Sequence, residues 1–305
     1  MTFGLLACSV AYTDNRMSLD EMVAVFGWDF DTAVIEAQEV GAGLYVLFGP
    51  GGNVAASIGD DGVLIVDDQF PQVIPKIEAK IAELGGGAID FAINTHWHFD
   101  HADGNLALGP KGVWLVSQSK SREMMTGAHL IDLVALQYEQ QPYPENARPV
   151  ITYDDRMQFH FNGERIDLLH FGPAHTTGDT AVIFRGSNAV HLGDVFNNAG
   201  YPFIDAGNGG DLDGMIRFCS AVLAEIEAGT TVIPGHGPVT DYRSLADYIT
   251  MLSTVRERIA MLIEDDADLD AVVAAKPTAE FDERYGDPGL LVNRAFASLS
   301  RAVGE

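Results

Sequence analysis

The chain has 305 residues, 47% of them hydrophobic, enough to bury a large core, and no apolar run reaches the length of a membrane span. Its 18 Lys and Arg against 44 Asp and Glu give a net charge of −26, which repels phosphate backbones and anionic lipid headgroups. That charge argues against nucleic acid as a partner and against a pocket built on several cations; a small-molecule substrate is expected, and the oligomeric state is open. Cys8 and Cys219 lie too far apart to suggest a disulfide framework, and neither belongs to a Cys-rich zinc pattern.

At the N-terminus, Leu5-Leu6-Ala7-Cys8 looks like the end of a lipoprotein signal, although no Lys or Arg precedes it. Residues 1–30 are therefore expected to be a tail or the remnant of a signal segment. The location is periplasmic or lipoprotein-anchored in the second case and cytoplasmic otherwise. Residues 31–305 are expected to form one domain ending in helices.

Leu44 to Phe48 and Val54 to Ile58 read as strands joined by the Gly49-Pro50-Gly51-Gly52-Asn53 turn, a segment that could serve as a mobile flap. Val63 to Val66 has no polar alternation and suits a strand covered on both faces. Val73, Ile74, Ile77 and Ile81 keep helical spacing until Gly85-Gly86-Gly87, and Phe91 to Asn94 is the next strand. Val113 to Val116 reads as a strand, Ser119 to Leu136 as helix, and Pro142, Pro144 and Pro149 mark a loop. Strand signals recur at Arg165 to Leu169, Thr180 to Phe184, Ala189 to Leu192 and Thr231 to Ile233. From Thr240 or Asp241 as N-cap, Leu245, Tyr248, Ile249, Leu252, Val255, Ile259 and Leu262 outline a long helix. The strand, helix, strand succession indicates a layered α/β protein with function at strand ends.

The strand ending at Asn94 delivers Thr95-His96-Trp97-His98-Phe99-Asp100-His101, three imidazoles and a carboxylate within one short stretch. Such a string is a metal site. His175, Asp194 and His236 each sit in a Gly-rich turn after an apolar run, bringing the potential ligands to seven, a number that fits two metals. His129, His160, His170 and His191 lack flanking turn motifs and read as packed or surface residues. Cys219 reads as buried apolar filling and Asp68 as solvated. Asp67, at the end of a buried strand, is expected to accept a hydrogen bond from a ligand imidazole. Asp179 is assigned the same role, with a simple turn position in Gly178-Asp179-Thr180 as the alternative.

These motifs, in this order with Gly172-Pro173-Ala174-His175 and Pro234-Gly235-His236-Gly237, resemble the metallo-β-lactamase superfamily over residues 40 to 260. The resemblance implies a four-layer αββα sandwich. It further implies that His96, His98 and His175 hold one metal, that Asp100, His101 and His236 hold the other, and that Asp194 bridges them. Two Zn are the implied cofactors, with Fe or Mn compatible with the carboxylates. The implied chemistry is hydrolysis by a bridging hydroxide attacking an ester, lactone, amide or β-lactam carbonyl, with Asp100 orienting the water and relaying a proton.

Departures from the best-known members narrow the substrate. Where zinc β-lactamases resembling this chain carry Cys and, three residues on, a Lys that grips the drug carboxylate, this chain has Asp194-Val195-Phe196-Asn197. Efficient β-lactam hydrolysis is not expected, though promiscuous ring opening is. A glyoxalase II-like thioester hydrolase is the alternative, disfavoured by the acidic run Glu264-Asp265-Asp266-Ala267-Asp268. A non-hydrolytic redox member of the fold is less favoured still. The segment from Asn197 to Asp205 resembles quinoprotein-associated and cyclase-like members. Asn197 and Tyr201 are candidate donors to a substrate carbonyl, and Phe48 and Phe70 candidate pocket walls.

Overall fold

A computed structural model describes residues 16–304; the Leu5 to Cys8 segment lies outside the described residues. Two mixed sheets stack face to face. One holds seven strands in the spatial order Ile151–Tyr153, Trp114–Gln118, Ile89–Asn94, Gly62–Val66, Val54–Gly59, Leu44–Phe48 and Glu36–Gly41. The other holds six, in the order Arg156–Phe161, Glu164–Leu169, Ala181–Phe184, Ala189–His191, Thr231–Ile233 and Thr240–Asp241.

The two-residue period of a strand assigns each side chain to a layer. Leu44, Val46, Leu64, Val66, Ile93 and Val116 point inward and meet Ile166, Leu168, Val182, Phe184 and Ile233 of the facing sheet. Their sequence neighbours Leu47, Val63, Ile65, Ala92 and Leu115 point outward, under the helix Ile74–Glu83. On the far side, Leu169, Ala181, Ile183 and Val190 lie beneath the helices Leu212–Glu225, Tyr242–Glu264 and Gly289–Gly304. Each sheet is thus apolar on both faces, which is why its central strands show no polar alternation, and the architecture is an αββα sandwich.

The expected strands and the two expected main helices are present within a residue or two of their bounds; Asp241 is the N-cap, accepting from Ser244 N. Ser119 to Leu136 is a correction. Only Ser119–Met124 is helical; the chain then makes the hairpin His129–Asp132 and Gln137–Gln140. The helix closes at its C-cap Met125, and Val134 takes a left-handed φ of 68° in the hairpin turn. The hairpin pairs with Arg16–Met17 in a third, three-stranded sheet. Residues 16–30, expected within a tail, carry that strand and the helix Leu19–Val25, closed by a Ser18/Glu21 capping box and anchored by the buried Met22. Among the described residues, no helix is long and apolar enough to cross a membrane.

Candidate metal centre

The centre forms where the parallel strands Gly62–Val66 and Ile89–Asn94 end side by side. Asp67 leaves the first strand in a left-handed conformation, φ 63°, a costly one for a residue with a Cβ. Its carboxylate explains how that conformation persists: it accepts from Thr95 N at 2.7 Å and Thr95 Oγ1 at 2.8 Å, and reaches His101 Nδ1 at 2.7 Å. The turn out of the second strand and the third imidazole of the string beyond it, His101, are held by one buried group.

His96, His98 and His175 bring their ring nitrogens within 4.8 Å of one another, as do the donor atoms of Asp100, His101 and His236. In each of the four buried imidazoles of these two triads one nitrogen is spoken for and the other points to the centre. His96 Nδ1 lies 3.0 Å from Thr95 Oγ1, His98 Nε2 3.0 Å from Asp205 Oδ2, and His175 Nδ1 2.8 Å from the Phe203 carbonyl. With His101 Nδ1 on Asp67, the inward atoms are His96 Nε2, His98 Nδ1, His175 Nε2 and His101 Nε2. This outer set of partners fixes tautomers as metal sites require. His96 Nε2 is buried with no hydrogen-bond partner, an arrangement that is costly unless something accepts its lone pair.

Asp194 stands between the two triads. Its Oδ1 is 3.1 Å from His101 Nε2 and 3.4 Å from His236 Nε2, while Oδ2 is 3.7 Å from His175 Nε2. Asp100 Oδ2 is 3.2 Å from His236 Nε2. The electrostatics suit a cation. Burial, then the neighbouring imidazoles, hold His96 well below the ordinary imidazole range, and burial and His98 lower His175, keeping both neutral as ligands must be. On the other side burial is outweighed by the Asp194 and Asp100 carboxylates, which raise His236 to about 10, the response of a field that calls for positive charge. These donors and their free atoms could hold a metal ion.

Glycines let the ligands approach so closely. A Cβ on Gly52 would lie 2.5 Å from His101 Nδ1 and nearer still to Cε1, and one on Gly235 would collide with Asp194 Oδ1. The Gly49 to Asn53 segment is accordingly no loose flap. Gly52 N donates to Asp100 O at 3.0 Å, Asn53 N to Gly235 O at 2.7 Å, and Asn53 Nδ2 to the Pro234 and Gly237 carbonyls.

Several expected roles change. Asp179 reaches no ligand imidazole; its carboxylate accepts from Thr176 N at 2.8 Å and Thr176 Oγ1 at 2.7 Å, closing the turn that presents His175. The partner that sequence reasoning missed is Asp205, buried and further fixed by Asn208 Nδ2. Asp68 is fully buried, not solvated, and burial followed by Asp67 and Asp103 raises its carboxyl well above the usual range. Among the other histidines, His191 is buried on Asn53 O and His160 is exposed on Arg156–Phe161. Cys219 is buried, as expected.

A cavity of about 470 Å³ opens over His98, Asp100, Asp194 and His236. Asn197 and Tyr201 line it, but the Tyr201 hydroxyl donates to Asp282 Oδ1 at 2.8 Å, so it is not a free donor. Phe48 and Phe70 do not line it: Phe48 borders a separate groove, and Phe70 is fully buried behind the wall, its ring centroid 5.2 Å from that of Trp28. Trp28, Phe99 and Phe203 take the wall positions instead.

Known proteins share this fold. DIM-1 metallo-β-lactamase is similar in structure with a TM-score of 0.59 at 16% identity, over 72% of this chain and 98% of that one. A metallo-β-lactamase from Pontibacter korlensis gives 0.59 at 16% identity, over 72% and 99%. The stereoselective inverting sec-alkylsulfatase Pisa1 from Pseudomonas sp. gives 0.68 at 15% identity, over 89% of this chain and 50% of that one. No curated protein sequence matches. Residues 40–254 match the family model described as the metallo-β-lactamase superfamily; the chain belongs to that superfamily and is a hydrolase.

Proposed function

We propose that the chain is a dinuclear metal hydrolase acting on the carbonyl of an ester, lactone or amide in a mainly uncharged substrate, with slow β-lactam opening as a side activity. The observation that carries the proposal is Asp194, whose two oxygens face the two triads separately. His96, His98 and His175 would hold one ion, Asp100, His101 and His236 the other, and Asp194 would join them. Bound metal supplies an activated water and a polarised carbonyl oxygen.

The protein's own groups do the rest. Asp205, Thr95, Asp67 and the Phe203 carbonyl keep the imidazoles oriented, so little reorganisation accompanies the reaction. The Asp100 carboxylate lines the cavity floor and would be placed to take the proton released by the attacking water. Asn197 Oδ1 accepts from Ala199 N at 2.8 Å, while its Nδ2 has only a 3.4 Å contact to Tyr201 O and is the available donor to the substrate carbonyl.

Elemental analysis of protein grown with added metal is expected to give about two equivalents of metal per chain. One equivalent would remove the dinuclear reading, and none would remove the mechanism.

A further inference from the structure

The cavity is polar at one end only. Its floor carries His98, Asp100, Asp194, Asn197 and His236, whereas Trp28, Ile131, Leu133, Leu136, Phe203 and Leu290 make its walls. These six come from four separate stretches of chain: the segment after the first helix, the hairpin His129–Asp132/Gln137–Gln140, the loop before Asp205 and the C-terminal helix. No Lys or Arg lines it among the described residues. Arg294, one turn beyond Leu290, directs its guanidinium to Asp132 at 2.9 Å and to Asn293. An anionic group on a ligand would lose its hydration against this wall with no counter-ion in return. An apolar chain gains by leaving water there.

We infer that the wall between Trp28 and the hairpin tip is a slot for the apolar chain of an uncharged ester or lactone, with the scissile carbonyl on the floor. This rests on the hydrolase reading above and names its substrate class. In the reaction the oxygen of one water bonds to the acyl carbon and the acyl carbon–oxygen bond breaks. The leaving oxygen takes a proton to become the alcohol, and the acid departs as carboxylate with release of the second proton.

The hairpin is tied to the chemistry as well as to the wall. Asn208 Nδ2 bridges the Leu130 carbonyl to Asp205, and Gln140 Nε2 donates to the Trp97 carbonyl between two ligand histidines. A chain seated on the hairpin therefore rests on elements in register with His98.

The test uses the full metal-loaded chain and p-nitrophenyl esters from acetate to octanoate, together with the p-nitrophenyl half-ester of suberic acid, an eight-carbon chain ending in carboxylate. kcat/KM is expected to rise about three- to fourfold per methylene through hexanoate and to fall at least about tenfold from octanoate to the half-acid. Leu133→Ser with Leu136→Ser, both half-buried at the wall, should flatten the chain-length slope, lowering kcat/KM for octanoate at least about tenfold more than for acetate. Rates independent of chain length, or preference for the half-acid, would overturn the slot while leaving the hydrolase reading intact. Absence of turnover on every ester would instead count against the hydrolase reading. The slot is then decided by calorimetric titration with 1-octanol against 1-butanol: selective binding of octanol, lost in the double variant, supports it, and equal or no binding of both overturns it.

Discussion

His98→Ala is expected to lower kcat/KM on any substrate found by about a thousandfold or more, equivalent to roughly 4 kcal/mol of transition-state stabilisation. The side chain is buried, with Nδ1 2.8 Å from His175 Nε2 at the first triad and Nε2 on Asp205. Its removal takes away one donor and also leaves the buried Asp205 carboxylate without its imidazole, so metal content should fall in parallel. His160→Ala is the matched comparison. That ring is exposed on Arg156–Phe161, and its loss should leave kcat/KM within about twofold, the usual outcome for surface changes. Equal losses in the two variants, or a fully active His98→Ala, would show that the histidines have been divided wrongly.

Gly52→Ala should act on the other half of the centre. The added methyl would meet His101 Cε1, Nδ1 and Nε2 first, and that ring has no retreat: it is wholly buried and held through Nδ1 by Asp67. Since misplacement of a reacting group by about 1 Å costs on the order of a hundredfold, activity should fall by at least that factor. The loss is also expected to be selective. Metal analysis should show the ion held by Asp100, His101 and His236 depleted, with the ion held by His96, His98 and His175 retained. Full occupancy of both with unchanged turnover would refute the view that glycine is required there by the closeness of the ring.

What the sequence revealed and what it concealed have physical causes. The His96 to His101 string is legible because a single turn of chain delivers its donors, and Asp67 because a carboxylate closing a buried apolar strand needs a partner. Asp205 gave no comparable signal. It lies in a Gly-rich loop and reaches His98 only through tertiary folding. Asp179 misled because a carboxylate four residues after His175 can close its own turn, and Thr176 supplies both donors for that. The Ser119 to Leu136 stretch misled because Leu130, Ile131, Leu133 and Leu136 are apolar without being inside a helix; they belong to a hairpin whose wall residues face a cavity. Apolar content alone does not distinguish a residue that meets the core from one that meets a ligand.

A lining without cations has a bearing on what happens after bond cleavage. A neutral ester enters, but the acid that leaves is an anion, and neither Trp28 nor the leucines of the hairpin offer it an ion pair. The surrounding surplus of carboxylates repels it further. Away from the metal ions that would sit at the floor, the departing acid meets no cation, so its release along the walls should be unhindered: octanoate added to an octanoate-ester assay is expected to inhibit no more tightly than the ester's KM, and inhibition far below KM would show that ions at the floor hold the product. In such a site, the change of charge that chemistry produces is itself the means of clearing it.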